Sequence, residues 1–468
     1  MNKNENFNSN IGFILSAIGS AIGFGTVWAF PYKMGRYGGF TFLAVYMVFA
    51  IFAGVSLIIC ELAIGRATKR GPVEAFKKIS KNYGSTGVFA VLASLLVMVV
   101  YAYLGGYCLK FTVINIKGIF VPFNVSGEQI FAQSINDIYS SVLYSALFML
   151  INFLIVKGGI QKGIEKFNIV AIPLLFIILT AVIIISLTSD GADEGLKYMF
   201  LPDYAKNNGY INEDISLFKI ISCAGSQLFF SLSIGMGATL AYGAHLKEDA
   251  NLIKNAVLIT LADTVASVMS GLAVIPSAIA MGLSRNLTPD QIQLGGPKLL
   301  FVTLQNVFIN NGRWGAVLGV MFFILILIAA ISSAVSLIEV VLSYFADKSE
   351  IMGKKFSRTY YSFLICLFIF LLGALSIKGF GSFKIFADGK KSITDILSMV
   401  SESICMPVGA FLMTIILLFE TKTDYVFCEI EKGTKISSAF KKFFNFSLKY
   451  FVPLLIVLII FGAFFVNQ

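Results

Sequence analysis

Eleven runs of apolar residues, parted by charged or polar loops, set the plan of this 468-residue chain. They fall near 11–31, 40–65, 86–115, 139–156, 168–187, 217–243, 255–283, 315–346, 360–377, 396–419 and 448–466. Each holds roughly 18 residues or more, enough for a helix to cross a hydrocarbon layer about 30 Å thick. The third and eighth exceed that minimum, so they tilt or extend past the membrane. Residues 284–313 are too polar to cross and too apolar for a free linker; they read as a short hairpin on the outer face or an ordered loop. The pattern predicts an all-α polytopic membrane protein with eleven transmembrane helices.

The first run, IGFILSAIGSAIGFGTVWAFP, is apolar but interrupted. Gly19, Gly23 and Gly25 lie in its middle, with Ser20 and Thr26 between them and Pro31 at its end. Each glycine costs a lipid-spanning helix roughly 1 kcal/mol relative to alanine. Two readings follow: a small-residue packing face, or a helix unwound around a ligand. Unwound backbone at membrane depth is tolerated only where protein or a water-filled cavity surrounds it. The sixth run repeats the device, because Ile234-Gly235-Met236-Gly237 echoes Ile22-Gly23-Phe24-Gly25. Breaks five spans apart imply two repeats, and five being odd, the second enters the membrane from the opposite side. Interrupted helices in matching positions of such a 5+5 inverted repeat point to a midplane site for substrate and ion. Freed carbonyls suit a cation, and half-helix N-termini suit an anionic group.

The division that follows is a cytoplasmic tail (1–10), a first repeat with helices 1–5 (11–187), an extracellular connector (188–216), a second repeat with helices 6–10 (217–419), a cytoplasmic loop (420–447) and helix 11 (448–468). Roughly 22 of the 36 lysines and arginines fall on the side of the amino terminus, which makes that side cytoplasmic and the carboxyl terminus external. The connector is net acidic, with Asp190, Asp193, Glu194, Asp203, Glu213 and Asp214; four lysines in the external 378–391 loop oppose the assignment.

Composition narrows the chemistry. Hydrophobic residues make up 57% and charged residues 13%, with mean hydropathy +0.83, as in a membrane protein rather than a soluble domain. The net charge of +10 is scattered between apolar blocks, which argues against nucleic-acid binding. The six cysteines contain no CxxC and read as small core residues. His245, the single histidine, reads as a solvated loop residue. Paired acid–base groups for an enzyme are missing, as is the continuous polar lining of a channel. Asp263, about nine residues into the seventh span, is the most informative charge, since a carboxylate at that depth is functional by default.

Taken together, GSAIGFGTVWAFP in the first span, ELAIGR (61–66) in the second, Tyr101 with Gly105-Gly106 in the third, Ser226-Gln227 with FFSLSIGMG in the sixth, ADT (262–264) in the seventh and AAISSAVSLIE in the eighth resemble the neurotransmitter:sodium symporter family over nearly the whole chain. The resemblance is to a bacterial, eleven-helix member. It implies a multi-pass protein of the inner (plasma) membrane that couples Na⁺ to uptake of an amino acid. A sensor of amino acids on the same fold is the alternative. It fixes no oligomeric state.

The resemblance also implies particular residues. One sodium site would take the carbonyls of Gly19, Ile22 and Ala329 with the hydroxyls of Ser332 and Ser333, although two serines in an aliphatic helix also suit a packing contact. A second would take Ala21, Thr26 and Ser231; Thr26 and Ala262 stand where relatives carry amide side chains, and Asp263 is one residue on. Asp263, with Tyr46, Gln227 and Ser231, would supply a fixed anion where other members bind chloride, predicting chloride-independent transport. The substrate pocket would comprise Ala21, Gly25, Val97, Tyr101, Phe230, Ser231, Ser233, Met236, Ser333 and Leu337. Gly23 replaces the aspartate of monoamine carriers, and the flexible Met236 leaves room for a bulky hydrophobic or aromatic side chain. Glu61 would bond the freed backbone of the breaks. The Arg–Asp pair that closes the outer vestibule in relatives is missing, with Ala29 and Ser398 in its place, so closure would rest on contacts such as Tyr101 with Phe230.

Overall fold

A computed structural model describes residues 6–211, 215–284, 286–288, 292, 294, 299–379 and 393–465. Glu213, Asp214 and the lysines at 384, 390 and 391 lie outside the described residues. Every regular element among the described residues is helical. The first apolar run forms α1 (Asn10–Ala21) and α2 (Gly25–Arg36), bent by 47° at the break. Seven long spans complete most of the pattern: α3 (Phe40–Thr68), α4 (Thr86–Phe120), α5 (Ile138–Val156), α6 (Ile160–Leu187), α9 (Leu252–Ser284), α10 (Gly312–Ile351) and α11 (Arg358–Leu375). Between α6 and α9 the sixth run forms α7 (Leu217–Ser231) and α8 (Ala238–Gly243). Two more long spans, α12 (Ile396–Glu420) and α13 (Ser438–Ala463), follow α11.

The break in the first run has a local cause. Ile22 leaves the helix in an extended conformation (φ −77°, ψ 91°), and the chain re-enters through a π-helical turn at Gly25–Ala29. In the sixth run, Ser233, Gly235 and Gly237 all take positive φ (53°, 78° and 74°). Three positive-φ residues at alternate positions end a right-handed helix, and glycine adopts that conformation at least cost. A Cβ on Gly235 would also lie 2.4 Å from the carbonyl oxygen of Met406 in α12. The break is held from α3: Glu61 accepts from the Gly235 amide at 2.8 Å with one oxygen and from the Thr239 hydroxyl with the other. Glu61 thus bonds the freed backbone as expected.

Two helix ends differ from the hydropathy pattern. α6 begins at Ile160 rather than near 168, in a π-helical stretch whose Glu165 is 1% exposed. Its carboxylate accepts from the Asn8 amide (2.8 Å) and the Ser9 amide (3.2 Å), so a charge that reads as loop is a buried anchor for the tail before α1. α13 begins at Ser438 rather than near 448, because an amphipathic turn carrying Lys441 and Lys442 runs straight into the apolar span. His245 is also corrected. It lies in the turn after α8 at only 7% exposure, not solvated. Between α9 and α10, where the sequence reads as a short hairpin or an ordered loop, the described residues include one continuous short helix, Leu299–Asn310, buried on most of its length.

α4 lies along α10, and α1 packs against α6, α9 and α10, so the broken helices occupy the centre. Leu143, Leu147, Leu150 and Leu154 of α5 and Val170 and Ile177 of α6 face outward, exposed. Apolar side chains on the perimeter are as expected where lipid is the solvent, while the core is itself apolar, with hydroxyls gathered at the breaks. All six cysteines are free; only Cys428 is exposed and Cys223 half-buried, which bears out the small-core-residue reading for the rest.

Candidate functional site

Unwinding at Ile22 and Ser231 releases carbonyls that would otherwise serve the helices, and hydroxyls from neighbouring elements meet them. Ser20 gives its carbonyl to the Ser233 hydroxyl (3.2 Å), Ala21 to Thr26 (3.2 Å) and Ile22 to Ser332 (3.4 Å). Ser332 also lies 2.9 Å from the carbonyl of Ala329. One hydroxyl thus bridges the break to α10, bringing together three of the five groups expected for the first sodium site. Gly19 abuts Asn168 and Ile172 of α6, where a Cβ would lie 2.4 Å from Asn168. Ser333 is 1% exposed beside them. These are hard oxygen donors without a carboxylate, a set suited to a monovalent cation at unwound backbone.

Four residues of the second expected site also converge, around Asp263. Its carboxylate accepts from Thr26 (2.7 Å) and Ser231 (2.7 and 2.8 Å), and from Tyr46 (3.0 Å). Asp263 is fully buried, while Ala262 is half-buried on another face of α9. Helical phase therefore delivers the carboxylate, not residue 262, to the break. Each hydroxyl has one proton. When all three point at Asp263, the Ala21 carbonyl and the lone pairs of Thr26 and Ser231 remain for a cation. Gln227 departs from expectation: its amide donates to the carbonyl of Gly25 (2.7 Å) and holds the broken backbone instead of Asp263. A further brace missed by sequence reasoning is Ser270, which donates to the Thr26 carbonyl at 2.8 Å.

The expected pocket residues gather between the breaks, α4 and α10. Tyr101 Oη lies 3.4 Å from Ser333 Oγ. A Cβ on Gly23 would meet Ser333 at 2.6 Å and Tyr101 at 2.8 Å, so only glycine allows this approach. A Cβ on Gly25 would lie 3.0 Å from the backbone of Phe230 and Ser231. Val97 and Leu337 stand one turn from Tyr101 and Ser333 on the same helix faces, both buried. The Met236 carbonyl is fixed by Ser94 at 2.8 Å. Tyr101 meets the ring of Phe24 edge-on at 4.7 Å, and Phe230 lies 5.7 Å from the ammonium of Lys33. No ring contact joins Tyr101 to Phe230 among the described residues; Tyr101 instead meets Phe24, and Phe230 lies beside the Lys33 ammonium. Lys33 itself pairs with Glu402 of α12 at 3.5 Å. Glu402 stands inside an apolar run, a signal open to a functional reading from the sequence, whereas Lys33 lies two residues past the end of the first run.

Two broken helices around an oxygen-lined centre at membrane depth define a secondary transporter of the inverted-repeat class. The chain belongs to the sodium:neurotransmitter symporter family, which matches it over residues 4–126 and 123–468. It is 29% identical over 459 residues to the uncharacterized sodium-dependent transporter YhdH of Bacillus subtilis, covering 96% of each chain. It is 30% identical over 423 residues to the uncharacterized sodium-dependent transporter MJ1319 of Methanocaldococcus jannaschii, covering 89% of this chain and 82% of the other. Among solved structures, that of MhsT in complex with L-phenylalanine superposes with a TM-score of 0.86 at 32% identity, over 98% of this chain and all of the other. The family and its structural neighbours are transporters and not enzymes. The all-helical, broken-helix fold expected from the sequence is the one found.

Proposed function

We propose that this protein is a Na⁺-coupled symporter of neutral amino acids with hydrophobic or aromatic side chains, working by alternating access and without chloride. The observation that carries the reading is the Ser332 hydroxyl set between the carbonyls of Ile22 and Ala329 at the helix break. A cation there ties α1 to α10, so its affinity depends on which arrangement of the repeats holds those oxygens together. The amino acid carboxylate is received at the break, with the Tyr101 hydroxyl beside Ser333 as donor. Met236 and Phe230 face its side chain. Similarity to a structure titled with L-phenylalanine supports that choice of substrate class. Asp263 acts as a permanent negative charge beside the second cation position, which removes the need for a chloride ion. The protein lies in the inner (plasma) membrane with its amino terminus in the cytoplasm, as the distribution of lysine and arginine supports.

Purified protein in proteoliposomes tests this directly. Labelled phenylalanine should accumulate when Na⁺ is outside and fail to when K⁺ replaces it. Replacing chloride by gluconate should leave uptake unaltered. Uptake indifferent to the cation would defeat the coupling, and a chloride requirement would defeat the role of Asp263.

A further inference from the structure

We propose that Lys33 and Glu402 form the outer gate of this transporter, a displaced ion pair that locks α2 to α12 over Phe230. Resting on the transport reading above, the inference concerns how that site closes. Ala29 and Ser398 bear no charge, and the Ser398 carbonyl is taken by the Ser401 hydroxyl at 3.1 Å. Lys33 and Glu402 each follow four residues later on the same helices, about one turn or 5.4 Å along each. Because α2 and α12 belong to the first and tenth spans, they run antiparallel and the two displacements are opposite. The pair therefore crosses at nearly the level the missing pair would have held. Both residues adjoin widened helix: Gly25–Ala29 is π-helical just before Lys33, and Ser401–Cys405 is π-helical around Glu402. A π turn takes up an extra residue and re-aims the side chains that follow it.

The Lys33 ammonium holds three elements at once. It lies 3.5 Å from Glu402 on α12 and 5.7 Å from the ring of Phe230 on α7, while its own stem belongs to α2. Only 10% of the Lys33 side chain and 18% of that of Glu402 are exposed. Separating buried charges without water is costly, so the pair opens only as water enters to hydrate both. Opening and flooding of the path above Phe230 are then one event. Closure dehydrates the pair and presses Phe230 onto the pocket.

Cys223, two turns before Phe230 on α7 and hydrogen-bonded to Tyr37 within electrostatic reach of Lys33, is a native reporter of this path. With the exposed Cys428 replaced by serine, its modification by a charged thiosulfonate reagent is followed in purified protein in Na⁺, with and without phenylalanine. Lys33→Gln and Glu402→Gln should each raise that rate about thirtyfold or more and speed phenylalanine release similarly, the scale on which losing one partner of a buried charge pair acts on dissociation. The exchange Lys33→Glu with Glu402→Lys should return both rates toward the parent. Glu402→Asp, which keeps the charge but shortens its reach, should fall between and serves if a neutralised variant does not fold. Parent-like Cys223 rates in both single variants, or an exchange no better than either, would overturn the gate. If the parent binds no phenylalanine, the proposed function fails for that substrate, yet the Cys223 rates without amino acid still decide the gate.

Discussion

Ser332 has one proton, and the carbonyls of Ile22 and Ala329 both lie within its reach. A bound cation changes the competition: the hydroxyl oxygen turns to the ion and its proton turns away. Ser332→Ala removes that ligand without adding bulk, and a lost polar contact of this kind costs about 1.5–3 kcal/mol when its partner is charged. The Na⁺ concentration giving half-maximal phenylalanine binding should therefore rise by about tenfold or more. An unchanged Na⁺ titration would return Ser332 to the packing role that the sequence also allowed. Asp263→Ser should abolish uptake in chloride-free buffer and recover it when chloride is added, since the ion replaces the lost charge. Full chloride-free uptake by that variant would sink the fixed-anion assignment. At this scale the sequence was legible where a polar group stood alone in an apolar run, as with Asp263 and the Ser332-Ser333 pair. It was not legible where function lay in pairing. Lys33 and Glu402 are hundreds of residues apart, and Gln227 turned to a backbone carbonyl that becomes available only once the helix breaks.

Broken helices need support from their neighbours, because unwinding leaves amides and carbonyls without helical partners. α7 and α8 are joined by left-handed residues, and the Glu61 carboxylate takes both the Gly235 amide and the Thr239 hydroxyl. Glu61→Ala leaves a buried amide with no acceptor, a loss of roughly 1–3 kcal/mol. The thermal midpoint of the purified protein should fall by roughly 1–3 °C in a chain of this length, and substrate binding should weaken with it; an unaltered midpoint would mean that Glu61 does not hold the break. Most span boundaries were legible because glycine, proline and charge punctuate long apolar runs. α6 and α13 were not, for a physical reason: Glu165 is buried against the amides of Asn8 and Ser9, and Lys441 and Lys442 lie along one face of a helix that continues into lipid. Hydropathy scores such residues as loop, whereas tertiary contact or an amphipathic face makes them helix.

The whole molecule has two polar ends that chemistry can tell apart. One gathers Arg66, buried and bonded to Glu429 and to the carbonyls of Glu248 and Ala250, together with Arg70, which pairs with Asp347 and Glu350. Glu165, holding the tail before α1, joins the same end. This end also carries the loop after α12, with Lys422, Lys432 and Lys435, and the first turns of α13, with Lys441 and Lys442, the basic excess on which the proposed cytoplasmic orientation rests. The Lys33–Glu402 pair lies on the other half of α2, away from the amino terminus. Cys428, in the helix Asp424–Glu431, is the exposed cysteine at the basic end and makes the orientation measurable. A membrane-impermeant thiol reagent should leave Cys428 unmodified in intact cells and label it in inside-out vesicles. The reverse pattern would invert the molecule, placing the Lys33–Glu402 pair on the cytoplasmic face. That pair would then control release into the cell rather than entry from outside, and Ser332 would be filled from the opposite side of the membrane.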